Sequence, residues 1–406
     1  MHKCIVCEEG NTYKVIELGY HPPADTFLKR DQISLPRKRY PLNCFLCKKC
    51  GHLQNEYIVP QEERYVENDY SYTSSNSKIS REHWRRYCIT VSNYVHLEPS
   101  DHVIEFGSND GYLLKQFIKK DAIVTGIEPS PNIAAIAQAT GVYTIKDFLG
   151  DKSIKAALKR AGKAKIILGN NVLNHIAGLN EVVPIIRAAL KDDGYFVFES
   201  PYHKDTIKNY LFDMIYHEHV SYFSVRSANA LLKRNKMYIT NIENTKYHSG
   251  CIRVYASKKI SDYNKPLVDK YIKSEYAAKI FYLETYKKFM SKITKDKFKI
   301  LENIYSLKRR GKKIAAIGAG ARGNTRLNFY LLDRGVIDFV TDSSPYKIGK
   351  YTPGSLIPIV GDKRLSSDNI DVGLILSWNI GKYLVQKIRK INNKMKFIVP
   401  GEQRLL

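Results

Sequence analysis

No stretch of the 406-residue sequence reaches the roughly 18–20 consecutive apolar residues that a membrane helix requires. The first ten residues lack the apolar core of a secretory signal. Acidic side chains are scarce: 40 Asp and Glu stand against 65 Lys and Arg, which leaves a formal charge of +25. There is no low-complexity tract, no basic helix with heptads and no aromatic strand of the kind that stacks on RNA bases. These absences leave a soluble, cytoplasmic protein with no membrane partner as the expectation. A zinc-stapled nucleic-acid-binding module ranks last, because no reading element accompanies the charge. Disulfides are also unlooked for, since the seven cysteines are odd in number and no signal precedes them.

What is present suits a folded chain of two or three domains. The apolar fraction is 44%, with 29 Tyr, enough to bury a sizeable core. The positive excess predicts attraction to anions, and phosphorylated small molecules are the simplest such partner. Its local concentration at Lys295–Lys313 reads as a solvated face. Four cysteines form two Cys-x-x-Cys pairs, Cys4/Cys7 and Cys47/Cys50, and Gly51 follows the second. Two such knuckles make a tetrahedral four-thiolate site, for which zinc is the usual occupant. Such a site is structural, because four thiolates leave no open position for chemistry.

Residues 1–65, rich in prolines and turns, read as a small metal-stapled domain, and Tyr70–Ser75 as a loop or lid. From 101 to 260, apolar runs alternate with helical segments, the pattern of a parallel, doubly wound sheet. Helix-like spacing over 262–308 predicts long helices bridging two lobes. A second α/β unit begins at Lys313. The expected domains are 1–65, 66–260 and 261–406.

Three motifs carry chemistry. In the first, the run Val103–Phe106 ends in Gly107-Ser108-Asn109-Asp110-Gly111, and Glu128 closes the next run. Glycines there let a ligand approach the backbone, and an acid at that point can hold ribose hydroxyls. In the second, Tyr216-His217-Glu218-His219 is not the His-Glu-x-x-His of zinc hydrolases. Clustered His, Glu and Tyr beside a nucleoside crevice suit general acid–base work, and His175 follows a strand into the same crevice. Methylating carbon requires just that: a base near neutrality to remove a proton α to a carbonyl, and donors for the enolate oxygen. In the third, Gly318-x-Gly320-x-x-Gly323 has dinucleotide spacing, with Asp342 where a ribose-binding acid belongs. The motif suits either an NAD-dependent nucleotide-sugar oxidoreductase or a degenerate Rossmann-like lobe that binds phosphates.

Glu105–Gly111 with Glu128 resembles class I S-adenosylmethionine (SAM) methyltransferases. The whole chain resembles the three-domain sugar C-methyltransferases of deoxysugar pathways. The likeness also runs through Cys4-x-x-Cys7, Cys47–Gln54, Asn171–Ile176, Glu199–Tyr202, Tyr216–His219, Gly318–Asn328 and Lys347–Pro358. It implies an α/β fold: a class I Rossmann-like core, a small N-terminal zinc domain and a second, C-terminal Rossmann-like domain. It implies SAM as cofactor, structural zinc, and a substrate in which C3 of a 4-keto nucleotide-linked sugar is methylated. His219 would be the base, with Glu218 beside it and Tyr70, His175 and Tyr216 around the sugar. SAM would be held by Glu105, Gly107, Asn109, Asp110, Gly111, Glu128, Pro129, Asp147 (on the adenine) and Asn171. The substrate would meet Tyr72, Tyr222, Arg322, Asn324, Lys347, Lys350 and Tyr351. The zinc domain would carry no chemistry, and a monomer is expected. The chain departs from the family pattern at Arg322, where Lys is expected, and at Ser249 and Cys251, where Gly and Ser are.

Overall fold

The computed structural model describes residues 3–9, 11–66 and 70–400. Their strands form three sheets. The first is antiparallel, in the order Thr12–His21, Tyr40–Cys47, Leu53–Asn55, Ser221–Tyr222. Leu42, Cys44 and Leu46 alternate into its core, as the two-residue period of a strand requires. Its last strand arrives from far along the chain: Leu53 pairs with Tyr222 and Gln54 with Ser221. The first sheet is therefore completed by the residues that follow Tyr216–His219.

The second sheet has seven strands in the order Tyr238–Thr245, Cys251–Ser257, Leu190–Pro201, Ala164–Leu168, His102–Phe106, Ile123–Ile127, Thr144–Ile145. Only Cys251–Ser257 runs antiparallel to its neighbours. Ala164–Leu168 is buried throughout, as a parallel strand covered on both faces must be. The strand order reverses between His102–Phe106 and Ala164–Leu168, which opens a crevice beyond their carboxyl ends. Gly107 begins the turn there with φ of +58°, and a Cβ on it would lie 2.6 Å from Val172 Cγ2. Only glycine fits that turn.

The third sheet is parallel: Ile359–Val360, Val340–Thr341, Ile314–Ile317, Val372–Ile375, Lys396–Ile398. The helical span expected at 262–308 forms two helices. Lys265–Ala277 is capped by the Asn264 side chain, which accepts from the Leu267 N–H at 3.2 Å, and it packs on the second sheet's core through Val268. Leu283–Arg309 is about 40 Å long at 1.5 Å per residue. Its Tyr286, Phe289, Ile293, Ile300, Ile304 and Leu307 recur every three, four or seven residues. They join Val15 and Ile16 of the first sheet to Ile314 and Leu374 of the third in one core. Lys295, Lys299 and Lys312 are exposed, as a solvated face requires. Among the described residues no helix is long and apolar enough to cross a membrane.

Candidate active site and metal centre

Cys4, Cys7, Cys47 and Cys50 converge with all four sulfurs within 4.8 Å of one another. Cys4–Cys50 and Cys7–Cys47 are each 3.6 Å apart. A zinc tetrahedron with bonds of about 2.3 Å has sulfur–sulfur edges of about 3.8 Å, so the cage fits that ion. The turn between Cys47 and Cys50 is closed by the Gly51 N–H, which donates to Cys47 O at 2.9 Å. Gly51 itself has φ of +70°, and a Cβ there would meet the Phe281 ring at 2.5 Å. Cys4, Cys47 and Cys50 are buried in the same apolar cluster as the second sheet, so the cysteine cage packs against that sheet's core.

The crevice at the strand reversal is a cavity of about 450 Å³, within the usual range for a small-molecule site. Glu105, Gly107, Asn109, Glu128, Pro129 and Asn171 line it. Buried polar atoms there lack partners: Glu105 Oε2, Ser108 Oγ, Asn170 Oδ1 and Asn171 Nδ2. Such groups are costly unless a ligand satisfies them, and donors and acceptors together suit a nucleoside with a zwitterionic tail. Glu128 accepts from the N–H groups of Asn109 and Ser130, both at 2.9 Å. Burial raises the pKa of both Glu105 and Glu128.

Three of the expected cofactor residues have other places. The Asp110 carboxylate faces the 70–75 loop, where it accepts from Ser74 Oγ at 2.5 Å, Ser75 Oγ at 2.6 Å and the Ser75 N–H at 3.0 Å. Gly111 packs on Val142 and Ala137 behind the cavity wall. Asp147 caps its own turn through the Phe148 N–H at 2.9 Å, and it is Phe148 and Leu149 that line the cavity. The loop is held further by Asn109 Nδ2 on Tyr72 O (3.1 Å) and Asn132 Nδ2 on Tyr70 O (2.9 Å). Tyr70 and Tyr72 form part of the cavity wall.

His175 also lines the cavity, hydrogen-bonded through Nδ1 to the Tyr65 hydroxyl. His219 lies directly behind it, ring centroids 4.9 Å apart, and is 5% exposed. His219 Nδ1 is 2.9 Å from the Met214 carbonyl, so Nδ1 carries the proton. The Nε2 lone pair then accepts from the Tyr216 hydroxyl at 2.6 Å. Burial, with added push from the charges of His248, Arg322 and Arg64, lowers the His219 pKa to about 3. Burial, then His219 and Arg64, lowers that of His175. Both rings are neutral at pH 7, and His219 has one basic nitrogen aimed at a phenol. The Glu218 carboxylate accepts from the N–H groups of Ala24 (3.2 Å) and Asp25 (2.9 Å). His217 is a core residue, 3.2 Å from His21 O.

Tyr222, expected to meet the substrate, is 1% exposed; its hydroxyl donates to Asn55 Oδ1 at 3.3 Å, and its ring meets that of His219 edge-on. Arg322 forms a bidentate pair with buried Asp213 (3.0 and 3.2 Å), which also takes Arg326 Nε (3.2 Å) and Trp378 Nε1 (2.7 Å). Arg322 Nη1 reaches Ser249 Oγ at 3.1 Å, so two of the departures from the family pattern touch each other. Asp213 directly precedes Met214, so the C-terminal domain is anchored beside the carbonyl that sets the His219 tautomer. Asn324 donates to Ala24 O at 2.7 Å and keeps a buried, unpartnered Oδ1. Lys347 lies 3.8 Å from Asp342 and over the Phe27 ring. Tyr351, after Lys350, pairs with Leu28. Asp342, the acid a dinucleotide would need, already accepts from the N–H groups of Ala319 and Ser344, each at 2.8 Å. Glu128 of the second sheet is gripped in the same way, by two backbone N–H groups.

Sequence reasoning missed Arg64, Tyr65, Asn55 and Asp213. Arg64 and Tyr65 sit in a charged five-residue helix that reads as surface, and only long-range pairing reveals the other two.

Three family models match in succession: a zinc binding domain at residues 4–65, a methyltransferase domain at 80–239 and a C-methyltransferase C-terminal domain at 246–400. The C-methyltransferase NovU of Streptomyces niveus is 28% identical over 400 residues, 98% of this chain and 95% of that one. Partial similarity extends to a solved S-adenosylmethionine-dependent methyltransferase from Clostridium acetobutylicum ATCC 824. It is 12% identical over 44% of this chain and 91% of that one, with a TM-score of 0.35. Magnesium protoporphyrin IX methyltransferase from Synechocystis PCC 6803 with bound SAH gives 12%, 46%, 90% and 0.36 for the same measures. With these three models in order along its length, a strand order built for a nucleoside and a four-thiolate cage, the chain belongs to the three-domain, SAM-dependent C-methyltransferases.

Proposed function

We propose that the enzyme methylates C3 of a 4-keto nucleotide-linked deoxysugar, with His219 as the base. The supporting observation is the neutral His219 ring, its tautomer fixed by Met214 O, one ring away from the cofactor cavity. Carbon is a nucleophile only after a proton leaves from beside a carbonyl, which is why a ketone is required. SAM, when bound, supplies an electrophilic methyl group. The chain's own part is proton removal and charge stabilisation. His219 Nε2 accepts the C3 proton at the position now held by the Tyr216 hydroxyl. Tyr70 and His175 face the cavity and donate to the C4 oxygen as it becomes an enolate. Lys347 and Lys350 supply positive potential for the diphosphate, while Arg322 holds Asp213.

The test is product analysis with methyl-labelled SAM and a panel of 4-keto sugar nucleotides. The label is expected on C3 of a branched sugar. A label on oxygen, or none with any ketone, contradicts the reading.

Glu218 sets an expected pH dependence. Burial, then the charge of Asp25, raises its pKa from the ordinary 4.5 to about 7. Only the carboxylate can accept both N–H groups of Ala24 and Asp25, so turnover should rise through about pH 7. The folded carboxyl holds its proton more tightly than the unfolded chain does, so its contribution to stability falls as pH rises from 4.5 to about 7. In Glu218→Gln both effects should vanish: a flat rate profile across this window and a stability difference from the parent that changes with pH. An unchanged inflection near 7 would assign it elsewhere.

A further inference from the structure

We propose that Arg64, in the N-terminal domain, is a positioning residue of the reaction centre: its guanidinium cross-ties the two chain segments that carry His175 and His219. The proposal rests on the reading of His219 and His175 as the proton-handling pair. Arg64 is 6% exposed and lines the cavity. Nη1 donates to His175 O and to Glu218 O, both at 3.2 Å, and Nη2 to His175 O at 3.3 Å. The Glu218 carbonyl belongs to the peptide that enters His219. The His175 carbonyl belongs to the peptide that leaves His175. One planar fork therefore grips a backbone bond beside each ring, and the rings sit 4.9 Å apart between those grips.

Among the described residues no carboxylate lies within ion-pair distance of this cation, its Nε is buried without a partner, and its guanidinium stacks over the Tyr65 ring. A buried guanidinium held only by neutral carbonyls is costly, which makes a purely packing role a poor account of it. Lysine cannot reproduce the grip, because a single ammonium lacks the planar fork. The domain that holds the zinc thus also fixes the spacing of the two imidazoles.

The experiment compares Arg64→Ala, Arg64→Lys and His219→Asn in the full-length, zinc-loaded enzyme. Loss of the cross-tie should lower kcat in both Arg64 variants by about 10²-fold, the scale of an ångström-level misplacement. SAM affinity by calorimetry should stay within about threefold of the parent, under 1 kcal/mol, with zinc content unchanged. Millimolar guanidinium should restore much of kcat in Arg64→Ala and none in Arg64→Lys, whose side chain fills the space; ammonium should restore neither. A kcat within a few-fold of the parent in either folded variant overturns the proposal. So does a loss that follows SAM affinity or folded fraction without guanidinium rescue. If His219→Asn keeps its turnover, the underlying reading fails instead, whatever the Arg64 variants do.

Discussion

His219→Asn should lose about 10²–10⁴ in turnover, the range for removing a positioned general base, while binding SAM as the parent does. The separation follows from geometry. The cofactor cavity is bounded by Glu105, Gly107, Asn109 and Glu128, whereas His219 stands behind His175, outside that wall. Asparagine keeps a polar group near Met214 O and Tyr216 but has no basic nitrogen, so the protein should fold and the carbon acid should keep its proton. Methyl transfer measured with labelled SAM, alongside calorimetric SAM binding, distinguishes the outcomes. Turnover within a few-fold of the parent would remove His219 from the chemistry. A loss explained by weaker SAM binding would make it a cofactor residue.

Metal removal has the second large effect, and it should reach the reaction centre. Structural zinc sites bind with about 10–16 kcal/mol of apparent free energy, comparable to the roughly 5–15 kcal/mol that holds a whole domain folded. Cys4, Cys47 and Cys50 are buried, and Cys47 ends the strand that pairs with Leu53–Asn55. That short strand in turn pairs with Ser221–Tyr222, and Asn55 grips Tyr216 O at 3.1 Å. Stripping the metal, or Cys47→Ala, should therefore lower the melting temperature and abolish methyl transfer together. The preparation should hold one zinc ion per chain before stripping. Full activity in metal-free protein would show the cage to be dispensable.

The parts legible in the sequence are those whose chemistry is local. Two Cys-x-x-Cys pairs state their purpose within a few residues. So does a Gly-rich turn after an apolar run, because positive φ and close backbone approach are properties of one position. The pairing of distant side chains was not legible. Asp110 sits in the cofactor turn, yet its carboxylate serves Ser74 and Ser75. Tyr222 follows the Tyr-His-Glu-His segment closely, but its short strand, paired with Leu53 and Gln54, is buried at both residues and its ring joins the core. Arg322 reads as a phosphate ligand until Asp213 is found opposite it. Arg64 lies in a stretch so charged that its burial is invisible without the 175 and 218 carbonyls that receive it.

The most direct measurement is solvent isotope exchange. The enzyme, held in deuterated water with S-adenosylhomocysteine and a 4-keto sugar nucleotide, cannot transfer a methyl group but can still remove and return a proton. Deuterium should enter the carbon next to the ketone in the parent enzyme and not in His219→Asn. Exchange at equal rates in both, or none in a parent enzyme that goes on to methylate that carbon, would contradict imidazole-driven carbanion formation.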